Sequence, residues 1–334
     1  MLTLGIESSC DDTSAAVLED DNNLLSTLVS SQDEIHSKYG GVVPELASRK
    51  HLEAIQPIVN EALFQANVSL DDIDLIAATQ GPGLIGSLLV GFSYAKAISY
   101  VKNIPYIGVD HMTGHLLSAF LETVTPSFPY ISLIVSGGTT SLYLCEDHIT
   151  FHLKGRTRDD AAGEAFDKVA KILNLGYPGG PAVSEMASKG NRQAFHFPRA
   201  WLDHESLDFS FSGIKTAVFN QYNTFENRNS VPTADICASF QEAVTDVLVT
   251  KTLRAAQQCK INTIVLGGGV SANRRLREAM EEACLRQKVD LFFPRPTFCT
   301  DNAAMIALAG LYKFRQTSSP SPYNDDVFSR SKLG

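Results

Sequence analysis

Short β-rich runs alternate with longer amphipathic runs along the chain, and this alternation predicts an α/β protein. Turns of Asp, Asn and Ser separate the first apolar runs, as is typical of consecutive short strands. In the first part of the chain, strands are predicted over residues 3–7, 14–18, 24–30, 75–78 and 105–109. Helices are predicted there over residues 44–66, 84–101 and 111–121.

The same order of elements restarts near residue 126. Residues 131–147 repeat the strand, small polar turn, strand and acidic turn of residues 5–20. This recurrence indicates a duplication, and we expect two α/β domains that face each other across a cleft. Further helices are predicted over residues 163–174, 181–189, 213–220, 233–259, 271–285 and 301–314, and a strand over residues 261–266.

The expected domains span residues 1–126 and 127–315, with the last helix able to pack back on the first domain. A Ser- and Pro-rich tail, residues 316–334, is typical of a flexible loop. We find no signal peptide, transit peptide or apolar run of membrane-spanning length. The cysteines are scattered without a CxxC pair, so we expect free thiols and a cytoplasmic protein.

The composition is that of a folded protein, with 44% hydrophobic and 19% charged residues among 334. A net charge of −9 argues against a protein that holds nucleic acid unaided, because phosphate binding requires a basic surface. A local basic patch or a basic partner remains compatible with this charge.

His111 and His115 lie four residues apart in a predicted helix, so both side chains project from one face and can share a metal ion. The spacing alone slightly favours two ordinary histidines. A zinc-protease motif needs Glu after the first histidine, where this chain has Met112. Asp301 is a candidate third ligand, since two histidines and a carboxylate leave coordination positions open. Its alternative role is that of a helix N-cap.

Glycine-containing turns follow predicted strands at residues 5–9, 136–139 and 267–269. The amides that such turns expose bind phosphate, although any single one is more often an ordinary tight turn. Three of them, two related by the repeat, indicate a nucleotide held between two domains. Residues 81–86 match GxGxxG, but Pro82 lacks an amide donor and the preceding hairpins do not fit a dinucleotide fold, so close helix–strand packing is favoured.

Paired acids and basic clusters have common structural roles as well as functional ones. Asp11 and Asp12 fall in the first hairpin turn, where carboxylates serve as general bases or simply form turns. The same alternatives apply to the acids at residues 159–160 and 164–167. Basic clusters at residues 49–51, 156–158 and 274–277 are more often solvated faces than RNA sites.

Eight motifs occur in order from residue 5 to residue 302. They are GIESSCD (5–11), GGVVPELASR (40–49), HMTGH (111–115), DDAAGEAFDK (159–168), YPGGP (177–181), DFSFSG (208–213), GGGVSAN (267–273) and CTDN (299–302). With this set the chain resembles the tRNA N6-adenosine threonylcarbamoyltransferase family, also called the TsaD family and formerly named O-sialoglycoprotein endopeptidases.

The resemblance implies the duplicated fold of actin and the sugar kinases, the ASKHA fold, with two α/β domains around a nucleotide cleft. It implies one divalent metal ion, Fe²⁺ or Zn²⁺, on His111, His115 and Asp301. It also implies a threonylcarbamoyl-AMP substrate, contacted by Ile134, Val135, Ser136, Gly137, Gly138, Asp167, Gly180 and Asn273.

In the implied reaction, N6 of adenosine 37 in tRNAs reading codons that begin with adenine attacks the carbamoyl carbonyl, and AMP leaves. Our hypothesis is that an acidic residue near the metal, Asp11 or Asp12, assists proton transfer. The partners implied besides tRNA are a TsaB-like pseudo-paralogue and a TsaE-like ATPase. Departures from the family pattern are Asp12 instead of Glu, Thr139 instead of His and Ser184 instead of Asp.

Three other functions are weighed against this one. An ATP-dependent small-molecule kinase of the same fold is disfavoured by the histidine pair with Asp301. A metallopeptidase is disfavoured by Met112. A non-catalytic partner has no need of metal ligands, and fold alone decides none of these.

Overall fold

The computed structural model describes residues 1–203, 205–227, 230–331 and 333. These residues form two compact units. The first comprises residues 1–126, 146–151 and 294–334, and the second comprises residues 127–145 and 152–293.

The first unit is built on a mixed five-stranded sheet. Its strands are β1 (Leu2–Glu7), β2 (Asp12–Glu19), β3 (Asn23–Ser31), β4 (Leu75–Gly81) and β5 (Tyr106–Asp110). They lie in the order β3-β2-β1-β4-β5. The three-strand meander β1–β3 is antiparallel, whereas β4 runs parallel to both β1 and β5. The α-helices of this unit are α1 (Asp33–His36), α2 (Pro44–Gln65), α3 (Ile85–Lys102), α4 (His111–Leu117), α10 (Pro296–Cys299) and α11 (Ala303–Thr317), with 3₁₀ turns at Ser37–Tyr39, Leu70–Asp72 and Ser118–Leu121.

The second unit repeats this sheet. Its strands are β6 (Tyr130–Val135), β7 (Thr140–Cys145), β8 (Phe151–Arg156), β9 (Thr263–Gly267) and β10 (Asp290–Phe292). The order β8-β7-β6-β9-β10 matches the first sheet position by position, with β6 antiparallel to β7 and parallel to β9. The α-helices are α5 (Ala162–Ile172), α6 (Gly179–Ala187), α7 (Ser212–Asn223), α8 (Thr233–Cys259) and α9 (Arg274–Gln287), with a 3₁₀ turn at Gly269–Ala272. The predicted duplicated α/β fold is confirmed.

Successive side chains of β1 point to opposite faces of the first sheet, and helices cover both faces. Leu4 and Ile6 are buried in the core that α2 and α3 share with the sheet. Gly5 points to the other face, where a Cβ atom would lie 2.2 Å from the carbonyl oxygen of Ala303 at the start of α11. This close approach brings the residues just before α11 to the end of β1 at which Glu7 lies.

The core of the second unit is centred on α8. This helix is buried along most of its length, and Phe240 packs edge-on against Phe166 of α5 with ring centroids 5.0 Å apart. The core fixes α5 and the end of β6, which carry the glycine turn of the second hairpin.

Several predicted elements have different bounds in the structure. The predicted helix 111–121 ends as α4 at Leu117 and continues as a 3₁₀ turn, and the helix predicted from residue 301 begins at Ala303. The prediction did not include β10, α1 or α10, which have only three or four residues and therefore no periodic pattern.

The unit boundaries place the last helix in the first unit, an arrangement that the prediction allowed. Residues 294–315 belong to the first unit, because α11 packs on β1, β4 and β5. The segment predicted as a flexible tail has little regular structure, yet it forms hydrogen bonds with the first sheet. In the part of the chain that the structure describes, no helix combines the length and apolar character needed to cross a membrane.

Candidate functional site

Two helix starts in the first unit carry the predicted metal ligands. Asp110 caps α4 by accepting from the amide of Met112 at 2.9 Å, so the helix begins at His111. At α11 the cap is Asn302, whose side chain accepts from the amide of Met305 at 2.9 Å. The alternative role of Asp301 as N-cap is therefore wrong, and its carboxylate is available for other contacts.

The structure brings His111, His115 and Asp301 together. Asp301 Oδ1 lies 3.3 Å from His111 Nε2 and 3.2 Å from His115 Nε2. One ligand atom from each residue falls within 4.8 Å of the others, so the three can share a single ion. The His115 side chain is 1% exposed and that of Asp301 is 27% exposed, so solvent reaches the cluster at the carboxylate.

Glu7 supports this cluster, although the sequence analysis did not assign it a role. Its Oε2 lies 2.9 Å from His111 Nδ1 and accepts from the Thr79 hydroxyl at 2.6 Å. Glu7 is fully buried at the end of β1. A carboxylate that accepts from one ring nitrogen fixes the other nitrogen toward the metal, as in many histidine metal sites. The only signal in the sequence was an acidic residue closing an otherwise buried strand.

The electrostatics of the cluster favour a bound cation. Burial opposes the charged form of His111, but the Asp301 and Glu7 carboxylates raise its pKa well above the usual value. Burial lowers the pKa of His115, whose Nδ1 has no hydrogen-bond partner among the described residues. Two carboxylates thus face one protonated imidazole. This donor set of two imidazole nitrogens and a carboxylate fits a first-row divalent ion.

Asp11 lies at the end of the turn that leads from β1 into β2, and Asp12 is the first residue of β2. Burial raises the pKa of both carboxyl groups, and for Asp12 the nearby charge of Asp301 helps to raise it to about 7. The turn is held by His51, whose Nε2 lies 3.0 Å from the carbonyl oxygen of Cys10. A pKa near neutrality suits a group that takes up and releases a proton.

The predicted basic cluster at residues 49–51 is a solvated face only in part. Arg49 and Lys50 are paired on α2 with Glu45 and Glu53, at 2.6 and 2.7 Å. His51 is fully buried, in contrast to the prediction, because α2 turns it toward the β1–β2 turn.

In the second unit, the glycine turn after β6 meets the start of α5. The amide of Gly163 donates to the carbonyl oxygen of Ser136 at 3.2 Å, and the amide of Thr139 donates to Ser136 Oγ at 3.1 Å. A Cβ atom at Gly137 or Gly138 would meet no atom within 4 Å, so this backbone is open to a ligand.

The other predicted substrate contacts of this unit have structural partners. Asp167 Oδ1 accepts from the amide of Gly179 at 2.9 Å, next to Gly180, where a Cβ atom would also meet nothing. Asn273 caps α9, with Oδ1 3.1 Å from the amide of Leu276 and Nδ2 2.8 Å from Gln241 Oε1.

Two of the residues predicted to contact the substrate are buried. Ile134 and Val135 are 0% exposed within β6, so only the turn that follows them faces solvent. The GxGxxG segment has a packing role, as the sequence favoured. A Cβ atom at Gly83 would lie 2.4 Å from the carbonyl oxygen of Ser9, and one at Gly86 would lie 2.4 Å from Ser48 Oγ.

Several proteins similar in sequence to this chain carry the same name. A family model described as TsaD, tRNA N6-adenosine threonylcarbamoyltransferase, matches residues 23–308. The protein named tRNA N6-adenosine threonylcarbamoyltransferase from Desulfotalea psychrophila is 60% identical and covers 100% of this chain and 98% of its own length. The protein of that name from Desulforapulum autotrophicum is 51% identical, with 100% of both chains covered. The one from Clostridioides difficile is 50% identical over 94% of this chain and 93% of its own length.

Solved structures share the fold at low sequence identity. Component A of (R)-2-hydroxyglutaryl-CoA dehydratase from Acidaminococcus fermentans is 17% identical with a TM-score of 0.55, covering 94% of this chain and 98% of its own. Full-length HypF is 16% identical with a TM-score of 0.62, covering 96% of this chain and 56% of its own. These likenesses support the predicted fold class, whereas the match over most of the sequence assigns the chain to the tRNA N6-adenosine threonylcarbamoyltransferase family, TsaD.

Proposed function

We propose that this chain transfers a threonylcarbamoyl group from threonylcarbamoyl-AMP to N6 of adenosine 37 in tRNAs that read codons beginning with adenine. Among the observations, the cluster of His111, His115 and Asp301 carries most weight, because it retains a metal-ligand set in a chain of this family. Full-length relatives at 50% identity or more bear the transferase name, and neither the kinase nor the metallopeptidase alternative has support among them.

His111, His115 and Asp301 would hold one divalent ion, Fe²⁺ or Zn²⁺. When bound, such an ion supplies Lewis-acid polarisation of a carbonyl or phosphate oxygen. Glu7 orients His111 by accepting from Nδ1, which leaves Nε2 directed at the carboxylate of Asp301.

Proton transfer is assigned to the carboxylates of Asp11 and Asp12, where the turn after β1 leads into β2. The adenine N6 forms a bond to the carbamoyl carbon, the bond from that carbon to the phosphate oxygen breaks, and AMP leaves with the electron pair. The proton lost by N6 passes to Asp12, since its pKa of about 7 allows it to accept a proton at neutral pH. Asp11 is the alternative acceptor.

The second unit supplies candidate contacts for the AMP part of the substrate. Ser136, Gly137 and Gly138 present open backbone after β6, as expected of a phosphate-binding turn. The Asp167 carboxylate and Gly180 lie beside each other and would face the ribose, and the buried Ile134 and Val135 would act only through the backbone of that turn. Asn273 would contact the nucleotide from the start of α9.

We further propose a TsaB-like pseudo-paralogue and a TsaE-like ATPase as partners, and the cytoplasm as the location. The net charge of −9 supports the need for help in holding tRNA. The tRNA-modifying name of the relatives supports this location.

The test is a transfer assay with the purified protein, its partners and a threonylcarbamoyl-AMP synthase, supplied with threonine, bicarbonate, ATP and tRNA. Mass spectrometry of digested nucleosides reports threonylcarbamoyladenosine. We expect product from the native protein and none from the His111→Ala, His115→Ala double variant. Absence of product with verified partners would reject the function, whereas full activity of the double variant would reject only the metal site.

A further inference from the structure

The last residues of the first unit, 319–331, run along the free edge of its sheet and form what we call the C-terminal strap. The amide of Ser321 donates to the carbonyl oxygen of Tyr106 at 2.8 Å, and Ser321 Oγ accepts from the amide of Gly108 at 3.0 Å. Tyr106 Oη donates to the carbonyl oxygen of Pro322 at 2.6 Å. The first two bonds occupy backbone groups at the edge of β5 that a sheet otherwise leaves unpaired.

The strap continues across α3 and the end of β4. Tyr323 Oη lies 2.8 Å from Ser99 Oγ of α3. Gln80 of β4 donates from Nε2 to the carbonyl oxygen of Asp326 at 2.8 Å, and its own carbonyl oxygen accepts from the amide of Phe328 at 3.1 Å. The strap is therefore anchored to three successive elements of the unit.

Gly81 allows the strap to approach the sheet closely. Its φ of +155° lies in the range that side chains disfavour, and a Cβ atom there would lie 2.1 Å from the carbonyl oxygen of Phe328. The backbone of β4 and that of the strap thus touch directly where β4 ends.

The strap ends at the helix that carries the metal ligands. Ser331 Oγ donates to Asp110 Oδ2 at 2.9 Å. The other oxygen of the same carboxylate, Oδ1, accepts from the amide of Met112 and caps α4. His111 follows Asp110 directly. A carboxylate held at both oxygens has a fixed orientation, so the first turn of α4 has a fixed orientation as well.

We propose that the C-terminal strap positions the metal centre, with Ser331 as the positioning residue that acts through Asp110 on His111. This inference rests on the metal site described under the proposed function. Without the hydrogen bond from Ser331, the Asp110 carboxylate loses one of the contacts that fix the cap, and the first turn of α4, with His111, is held less firmly relative to Asp301. A site held slightly out of geometry binds its ion less tightly.

The test measures Zn²⁺ affinity by competition with a chromogenic chelator, on the full chain first stripped with EDTA. For Ser331→Ala we expect affinity to fall about threefold to tenfold, less than the roughly 10- to 100-fold typical of residues that hydrogen-bond a metal ligand directly. Ser321→Ala, at the other end of the strap, is the matched control and should keep the native affinity. In an Asp110→Ala background, Ser331→Ala should have no further effect, because the path through Asp110 is already broken.

Thermal unfolding of the stripped variants separates positioning from general stability. We expect Ser331→Ala and Ser321→Ala to have similar melting temperatures and different Zn²⁺ affinities. Native affinity in Ser331→Ala, an equal loss in Ser321→Ala, or an additive loss in the Asp110→Ala background would each overturn the proposal. Failure of the native chain to bind Zn²⁺ would overturn the metal site as well.

Discussion

The carboxylate of Glu7 orients a candidate metal ligand that lies 104 positions later in the chain. It is fully buried and lies 2.9 Å from His111 Nδ1, so His111 has one nitrogen occupied and the other directed at Asp301. Burial alone would raise the pKa of Glu7, but the neighbouring imidazole lowers it overall, and the carboxylate stays charged. The residue therefore supplies both orientation and negative charge to the cluster.

Glu7→Gln keeps the shape of this side chain and removes its charge. We expect Zn²⁺ affinity to fall about 10- to 100-fold, as for other residues that hydrogen-bond a ligating histidine. Thr79→Val is the matched control, because it removes a donor to Glu7 while the amide of Ser9 still holds the other carboxylate oxygen. Competition with a chromogenic chelator measures the Zn²⁺ affinity of both variants. Equal affinities in Glu7→Gln and the native protein would show that Glu7 has only a packing role.

Asp12 makes stability depend on pH. Burial and the charge of Asp301 raise its pKa from 3.8 to about 7, so the folded state binds this proton more tightly than the unfolded state does. The raised pKa of Asp12 stabilises the folded state at pH values below the unfolded-state pKa. This stabilisation is lost as the pH rises to about 7. The stability of Asp12→Asn relative to the native chain should therefore increase from about pH 4 to about pH 7 and change little above that.

Urea unfolding of EDTA-stripped protein at pH 5 and pH 8 measures this difference. Asp72→Asn is the control, because hydrogen bonds from Ser69 lower the pKa of the exposed Asp72 carboxyl below 3.8, so its effect on stability should be the same at both pH values. A difference between Asp12→Asn and the native chain that is independent of pH would contradict the raised pKa.

At the level of single residues, the sequence pointed to the three residues of the candidate metal site but not to the residues that support them. The spacing of His111 and His115 places both on one helix face, which is a local property and therefore readable from sequence. Glu7 and Ser331 reach the same site only through tertiary contacts over long separations in the chain. For that reason no local pattern predicted them.

Among the elements, the packing of α11 on β1 decides where Asp301 lies. Gly5→Ala would place a Cβ atom 2.2 Å from the carbonyl oxygen of Ala303, two residues after Asp301. We expect overpacking to cost about 1–3 kcal/mol or more in the free energy of unfolding. The shift of α11 should also weaken Zn²⁺ binding, as measured by chelator competition beside urea unfolding.

Gly137→Ala is the matched control for this variant, since a Cβ atom there meets nothing within 4 Å. We expect its stability and Zn²⁺ affinity to equal those of the native chain. If the turn holds the AMP group, the KM for threonylcarbamoyl-AMP should rise. A Gly5→Ala protein with native stability would contradict the tight contact between β1 and α11.

Long elements could be predicted from sequence because each presents many periodic residues. The helix predicted over residues 233–259 matches α8 at both ends. By contrast, β10 has three residues and owes its strand geometry to parallel pairing with β9, which a single sequence does not display. The strap was predicted as flexible because its Ser and Pro composition has no period, whereas its order comes from bonds to the edge of β5.

In the whole molecule, the two units have the same order of strands in their sheets but differ in net charge. The first unit contains 10 Lys and Arg residues against 21 Asp and Glu, and the second contains 18 against 16. The first unit therefore carries a net charge of −11 and the second a net charge of +2. A polyanion such as tRNA is expected to make most of its phosphate contacts with the second unit.

Within the second unit, β8 is an edge strand with an exposed basic face. Lys154 and Arg156 occupy alternate exposed positions, and neither side chain has an ion pair in the described part of the chain, whereas Arg158 pairs with Asp208 at 2.9 Å. Cations on an edge strand also prevent pairing with other strands, so the position alone does not establish RNA contact.

Removing the two charges distinguishes a role in RNA binding from a role in protecting the edge strand. For the Lys154→Ala, Arg156→Ala variant we expect weaker binding to all tRNAs alike, with the slope of log Kd against log salt reduced by about 0.7–0.9 for each phosphate that is no longer neutralised. The control is Arg49→Ala, Lys50→Ala, which removes two cations from the acidic unit, both already paired with glutamates. Fluorescence anisotropy with labelled tRNA across a salt series measures the affinity of both variants.

If the two variants lose affinity for tRNA equally, net charge alone governs binding. If only the β8 variant loses affinity while its slope stays unchanged, the loss has a cause other than phosphate binding. A reduced slope confined to the β8 variant places the RNA backbone along this strand.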